Sequence, residues 1–310
     1  MSHINTQPDM NPELPVFVSA GDILTDLVRT GASQWLSRPS GAGWNVARCV
    51  ARLGLPTACA GSLGVDNFSD ELWDAASVAA GLDMRFMQRV ERPPLLAIVH
   101  RTHPPAYFFM GENSADLAFD PARLPAGWME HVKWAHFGCI SLVRQPLGDT
   151  LATLAAELRS RGVKISFDPN YRNLMEHGYE PTLRKMAALA DLIKVSDEDL
   201  RLIFKTDDEA HALAQLRSMN PRATVLVTRG PDTALLIDGA MTVEARPQRV
   251  EVVDTVGAGD ASIGGLLFSL MTASQRAWPE HLAFALAAGA AVCRHAGAHA
   301  PSLDEVVALL

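Results

Sequence analysis

Short apolar runs rich in Val, Ile and Phe alternate with longer stretches of helical spacing over much of the chain. From about residue 130 the rhythm is regular. It predicts strands at 136–140, 163–167, 192–195 and 224–228 and helices at 146–160, 181–190 and 207–218. Strands alternating with helices of this length point to βαβ units and a parallel sheet covered on both faces. Earlier segments add a strand at 15–20, a helix at 45–53 after Gly41-Ala42-Gly43, and a strand at 57–60. Two apolar runs, 95–100 and 106–110, flank Pro104-Pro105 and predict an antiparallel hairpin. Asp22, Asp168 and the segment after Thr228 fall at carboxyl ends of strands, where open α/β sheets bind ligands.

Residues 1–14 are polar and proline-bearing and predict a disordered tail without a signal peptide. With no internal repeat or linker, residues 15–310 form one main α/β domain. The 310 residues are 48% hydrophobic and carry a net charge of -8, which disfavours a nucleic-acid partner. The four cysteines are scattered, so reduced thiols are expected. The longest apolar stretch, 282–293, is about half of a bilayer span. No membrane association and a cytoplasmic location follow.

The segment with the strongest chemistry is Asp254-Thr255-Val256-Gly257-Ala258-Gly259-Asp260-Ala261-Ser262, just before a helical run at 263–271. Gly257, Ala258 and Gly259 leave backbone N–H groups uncovered at a helix N-terminus, an anion site by donors and dipole alike. A carboxylate there, Asp260, can accept the proton of a hydroxyl attacking a phosphoryl group.

This stretch closely resembles the C-terminal signature of the ribokinase, or phosphofructokinase-B, family of carbohydrate kinases. The resemblance continues at Gly21-Asp22, Gly41 to Ala47, Gly54, Gly64, Val227 to Gly230 and Gly297-Ala298. Residues 165–172, 194–200 and 113–116 resemble bacterial fructokinases, the first also resembling 2-keto-3-deoxygluconate kinases. The resemblance implies a three-layer α/β/α fold with a mostly parallel sheet and a small β-sheet lid. The two pieces that break the βαβ rhythm, about 23–40 and 92–116, are the expected lid. Lid pairing into a homodimer is expected through Leu95, Ile98, Phe108 and Phe109.

By the same resemblance the protein is an ATP-dependent sugar kinase, with fructose as first choice of substrate. Asp260 is the base, and amides from Gly257 to Asp260 hold the anion. Asp22, Gly41, Gly43, Asn45, Asn170 and Arg172 bind the sugar or lie near phosphate. Thr228, Gly230, Gly297 and Ala298 attend the nucleotide. Ser196 and Asp199 either influence Mg²⁺ and phosphate or cap the following helix. Mg²⁺ enters with ATP, and K⁺ is a candidate beside Asp254, Val256 and the backbone near Gly297. Two alternatives stand beside fructose phosphorylation. One is a sugar-acid kinase using Arg101 or Arg172, and the other a weakly catalytic sugar sensor.

Several positions depart from the fructokinase pattern: Ser40, the bulky Trp44, Gly111 where a basic residue is usual, and Glu176. Cys293, His295 and His299 have metal-like composition but no evident fourth ligand, so no zinc site is expected. His100 and His103 read as solvated residues at the hairpin tip.

Overall fold

The computed structural model describes residues 13–102 and 105–310. Most of the expected tail, residues 1–12, lies outside the described residues, as does His103. The chain opens with β1 (Phe17–Ala20), β2 (Leu24–Arg29), β3 (Trp35–Ser40), α1 (Ala42–Arg52) and β4 (Thr57–Leu63). Next come α2 (Asn67–Asp74), β5 (Met87–Arg89), β6 (Leu96–Thr102), β7 (Pro105–Met110) and α3 (Trp128–His131). A regular alternation follows: β8 (Trp134–Gly138), α4 (Leu147–Ser160), β9 (Lys164–Asp168), α5 (Glu180–Leu189) and β10 (Leu192–Ser196). Helices α6 (Asp197–Phe204) and α7 (Glu209–Met219) lead to β11 (Thr224–Thr228), β12 (Ala234–Asp238) and β13 (Met241–Ala245). Three helices close the chain: α8 (Ala258–Thr272), α9 (Trp278–Cys293) and α10 (Leu303–Val307).

Among the described residues, nine strands form one sheet in the order β13-β12-β11-β10-β9-β8-β1-β4-β5. From β11 to β5 the strands are parallel, and β12–β13 is an antiparallel hairpin at one edge. Parallel strands covered on both faces need apolar residues on both, which is why 192–195 and 225–227 read as unbroken apolar runs apart from Lys194. Alternate residues serve opposite layers. Leu192 joins Val46, Ile263 and Leu282 of α1, α8 and α9, whereas Ile193 joins Leu151, Met186 and Leu216 of α4, α5 and α7.

A second sheet, in the order β3-β2-β6-β7, is built from two separate parts of the chain. The β6–β7 pair is the antiparallel hairpin expected from the sequence. Strands β2 and β6 pair in parallel, because the chain crosses the large sheet between them. Register sorts the side chains of this small sheet. Leu27, Ile98 and Phe108 occupy one row, and Asp26, Ala97, Phe109 and Arg38 the opposite face.

Several boundaries differ from the expectation. The strand expected at 136–140 ends at Gly138, because Cys139 takes a positive φ of 56° and opens a 3₁₀ turn over Cys139–Leu142. Helix α8 begins at Ala258 rather than residue 263, and Asp260 lies in its first turn. The hairpin β12–β13 and helices α2 and α6 had not been placed by periodicity. Among the described residues no helix is long and apolar enough to cross a membrane.

Candidate functional site

The glycine turn meets the large sheet beyond its strand ends. Gly257 precedes α8 with φ of 83°, which a side chain would strain, and no side chain caps this helix. A Cβ at Gly257 would also lie 3.1 Å from the Ala298 Cβ, so two distant motif segments touch here. The Ala258 N–H donates to the Thr255 carbonyl at 3.2 Å and closes the turn. That narrows the expected anion donors to the amides of Gly257, Gly259 and Asp260.

Asp260 is 8% exposed. Its Oδ2 accepts a hydrogen bond from Asn45 Nδ2 at 2.8 Å, which joins α8 to α1. Burial raises its pKa to about 7; the Asn45 hydrogen bond, Lys194 and Arg172 oppose the rise, while Asp168 adds to it. Asn45 Oδ1 is buried and has no hydrogen-bond donor among the described residues. Such an acceptor is costly unless a ligand serves it.

Beneath the turn lies a pair that sequence reasoning did not assign. Lys194 Nζ donates to Asp168 Oδ2 at 3.0 Å, with both side chains buried. Lys194 sits two residues beyond Leu192 and so faces α8. A side-chain carbon at Gly259 would stand 3.0 Å from its Nζ. Burial raises Asp168 to about 6 against the pull of Lys194. A lysine inside an otherwise apolar central strand was the available signal, since a buried ammonium requires a partner.

Asp22 is buried, and its Oδ2 accepts the Ala42 N–H at 3.0 Å, tying β1 to the start of α1. Burial raises its pKa. Gly41 has a φ of 126°, and a Cβ there would lie 2.2 Å from the Asp22 carbonyl oxygen. Gly43 packs over Ser19. The Asn170 N–H donates to Asp168 Oδ1 at 3.0 Å. Arg172 is half-buried, and its Nη1 donates to the Tyr171 carbonyl at 2.8 Å and the Asn170 carbonyl at 3.2 Å. Its charge bears on Asp22, Asp26 and Asp260. Asp26, on the inner face of β2, is a carboxylate near the site that sequence reasoning missed; burial raises its pKa.

The reading of Ser196 and Asp199 now separates. Asp199 Oδ2 accepts from Ser196 N at 2.8 Å and Ser196 Oγ at 2.7 Å, and Oδ1 from Tyr171 N at 2.8 Å. In return Ser196 Oγ accepts the Asp199 N–H at 2.9 Å, completing a capping box on α6. Both carboxylate oxygens are occupied and buried, so the geometry is that of the helix cap. Thr228 ends β11, and Gly230 follows with φ of 52°. Between them Arg229 turns away to Glu209, with Nε 3.0 Å from Oε2.

At the K⁺ candidate, Asp254 Oδ1 accepts from Val256 N at 3.1 Å and Oδ2 from Gly297 N at 2.9 Å. The same Oδ2 pairs with Arg38 Nη1 at 3.2 Å. Burial works against this charge, yet the two amides and the guanidinium hold Asp254 below the usual carboxylate range. These residues do not fit a bound monovalent cation, because a guanidinium already pairs with the carboxylate of the set.

Other expectations are corrected. Trp44 is buried with Ile23, Leu63 and Leu72, and Arg48 stacks on it at 4.2 Å, so its bulk serves the core. At Gly111 a guanidinium arrives from elsewhere. Arg144 Nη2 donates to the Gly111 carbonyl at 2.6 Å, but the group is held by Asp116, with Nε 2.8 Å from Oδ2. Arg101 and Glu176 are exposed. His295 and His299 find a carboxylate not weighed earlier. Their Nε2 atoms lie 3.1 and 3.0 Å from Glu305 Oε1, with the rings stacked at 3.9 Å, and Cys293 is not part of the group. Glu305 Oε2 closes the capping box of α10 through Ser302.

A helix N-terminus with bare amides, set beside a buried carboxylate above the ends of a parallel sheet, is an arrangement suited to phosphoryl transfer. Residues 17–305 match the family described as pfkB family carbohydrate kinase, and the chain belongs to that family. It is 33% identical over 301 residues to a fructokinase of Klebsiella pneumoniae, with 94% of each chain covered. The fold superposes on a fructokinase with bound ATP from Xylella fastidiosa with a TM-score of 0.86 at 26% identity, covering 96% of this chain and 98% of that one. An aminoimidazole riboside kinase from Salmonella enterica, complexed with aminoimidazole riboside and an ATP analogue, gives 0.82 at 30% identity, covering 94% and 99%.

Proposed function

We propose that the protein is an ATP-dependent fructokinase that converts D-fructose to fructose 6-phosphate. The observation that carries the chemistry is Asp260, a buried carboxylate near neutral pKa in the first turn of α8, joined to Asn45. The sugar hydroxyl oxygen attacks the γ-phosphorus and the bond to the bridging oxygen of ADP breaks. Asp260 Oδ accepts the hydroxyl proton. The amides of Gly257, Gly259 and Asp260 hold the transferring group, and Lys194 adds positive charge beneath them. Asn45 Oδ1 receives a sugar hydroxyl, while Asp22, Gly41, Gly43, Asn170 and Arg172 shape the rest of the sugar site. Thr228, Gly230, Gly297 and Ala298 border the nucleotide, and Ser196 with Asp199 fixes α6 beside it.

Mg²⁺ rides on the ATP phosphates and keeps much of its water, so a dense protein cage is unnecessary. The carboxylates of Asp168 and Asp199 are already committed to Lys194 and to the α6 cap. Reduced cysteines suit a cytoplasmic kinase, and all four are free thiols.

The small sheet serves as a lid, and its outer face as a homodimer contact. Of the four residues expected there, Ile98 and Phe108 lie on that face and Leu95 and Phe109 do not. Leu95 is 3% exposed and Phe109 packs on the core, whereas Trp35, Phe108 and Met110 are exposed and share the outer face. Sedimentation at micromolar concentration showing a monomer would remove the dimer.

Fructose is favoured by the fructokinase relatives, and the aminoimidazole riboside kinase supports a second acceptor to be measured beside it. The sugar-acid reading has less support, since Arg172 donates to backbone carbonyls. A turnover panel with ATP decides the substrate: fructose, aminoimidazole riboside, 2-keto-3-deoxygluconate and ribose. Fructose should show the highest kcat/KM. A higher value for another acceptor transfers the assignment to it, and no turnover of any acceptor supports a sensor.

A further inference from the structure

We infer that the guanidinium of Arg38 takes the place of a monovalent cation beside the anion-binding turn, making this protein independent of potassium and tying the small sheet to α8. The clause on catalysis rests on the kinase reading above; the binding claim does not.

Three observations carry it. Arg38 lies on β3, paired with Asp26 on the inner face of the small sheet, so its side chain points toward the large sheet. Its Nη1 reaches Asp254 Oδ2 at 3.2 Å, across 216 residues of sequence. Gly297 is shaped around it: a Cβ there would come 3.2 Å from Arg38 Nη1, and φ is 73°. Asp254 therefore has donors on both oxygens, namely Val256 N, Gly297 N and the guanidinium.

The chemistry gives this arrangement a purpose. Asp254 sits three residues before Gly257 and positions the Val256 amide at the entrance to the turn. An unpaired carboxylate there would repel a phosphate bound on the neighbouring amides. A mobile cation can neutralise it, and so can a tethered guanidinium, which stays charged at any working pH. The guanidinium is attached to the lid strand, so it also couples the seating of that strand to the geometry of the turn. A cation entering at Asp254 would face a like charge already in contact with the carboxylate. Arg38 is thus a positioning residue acting through Asp254.

The test uses the full chain in chloride salts of potassium, sodium and choline at equal ionic strength. Wild-type rates should agree within about twofold, and its unfolding temperature should not respond to potassium, because a ligand without a site gives no binding stabilisation. Arg38→Ala should lose activity in choline, regain it on adding potassium or millimolar guanidinium, and show an unfolding temperature that rises with potassium. Arg38→Lys should retain cation independence. Stimulation of the wild type by potassium of about tenfold or more, equivalent to a barrier change near 1.4 kcal/mol, would overturn the inference. So would an Arg38→Ala variant with full activity in choline, or one whose loss no cation restores. If that variant fails to fold, the wild-type salt comparison decides. If no sugar is turned over, the unfolding measurements decide, separating this inference from the substrate assignment.

Discussion

The two sheets bring charge to the same site in opposite ways. The large sheet and α8 supply Asp168, Lys194 and Asp260, each buried and tied to a neighbour. The small sheet supplies Asp26 and Arg38, both partly exposed. Burial governs the first group and sets its proton affinities. Burial acts on Asp26 as well, but solvent screens the Arg38 ion pair, so that contact contributes less to stability and is easier to make and break. In the proposed kinase, proton chemistry belongs to the large sheet with α8, and the adjustable contact belongs to the small sheet.

The largest test of that division is Asp260→Asn. Asparagine keeps the size and the partner Asn45, and it caps or starts a helix about as well as aspartate. It cannot accept the proton. A general base contributes about 10²- to 10⁴-fold, so kcat should fall by that much while fructose and ATP binding persist. A variant keeping more than about a tenth of the wild-type kcat would fall short of even a weak base and remove Asp260 from the chemistry.

Next comes the buried pair. Lys194→Met leaves Asp168 without its ammonium, and breaking a buried pair from one side costs about 3–5 kcal/mol. Urea unfolding should show that loss. The double variant Asp168→Asn with Lys194→Met should recover much of it, since no bare charge remains. By contrast, Arg38→Ala breaks a partly exposed pair and should cost no more than about 1 kcal/mol of stability. Equal losses at the two positions would dissolve the distinction between the sheets.

The pH dependence sharpens the role of burial. Asp260 binds its proton with a pKa of about 7 in the folded chain against 3.8 in its ordinary state. The base must be ionised, so kcat/KM should rise about tenfold per pH unit below 7 and then level. Stability runs the other way. The raised pKa favours the folded state below pH 3.8, and that contribution is lost as pH rises through 7. Asp260→Asn should therefore gain stability relative to wild type on going from pH 5 to pH 8. An activity profile flat between pH 5 and 8 would contradict both the pKa and the role.

How far the sequence disclosed this site depends on how each residue acts. The glycine turn, Asp260, Asn45 and Asp22 were legible because backbone exposure and short polar side chains leave a local pattern. The βαβ layers were legible because parallel strands buried on both faces read as apolar runs. Lys194 and Arg38 were not assigned, because each acts through a partner distant in sequence, Asp168 and Asp254. The outer face of the small sheet was read only in part, because Leu95 and Phe109 look as apolar as Ile98 and Phe108, which do lie on it. Only strand register shows that Phe109 points inward. A helix after Ser196 and Asp199 was weighed from the sequence, but its polar start, Asp197-Glu198-Asp199, left its bounds unset by periodicity.

The smallest effect tests that cap. Ser196 Oγ accepts the Asp199 N–H, and the Asp199 carboxylate answers to Ser196 N and reaches Tyr171 N on the loop after β9. If Ser196 only caps α6, Ser196→Ala should cost about 1 kcal/mol, the usual price of losing such a cap. In a chain of this size that lowers the unfolding temperature by about 2 °C. The loss should leave kcat and the KM for ATP within about twofold, since a cap contributes stability and no transition-state contact. If the hydroxyl instead met the phosphates or their Mg²⁺, the variant would raise the KM for ATP or lower kcat with little change in unfolding. The two roles therefore load different measurements. Asp199→Asn extends the test, because it removes the charge and leaves one acceptor oxygen, which can serve Ser196 or Tyr171 but not both. A group that only caps should then lose about 1–3 kcal/mol of stability for the unmet donor with the KM for ATP unchanged, whereas a group steering Mg²⁺ would show an ATP KM that depends on its charge.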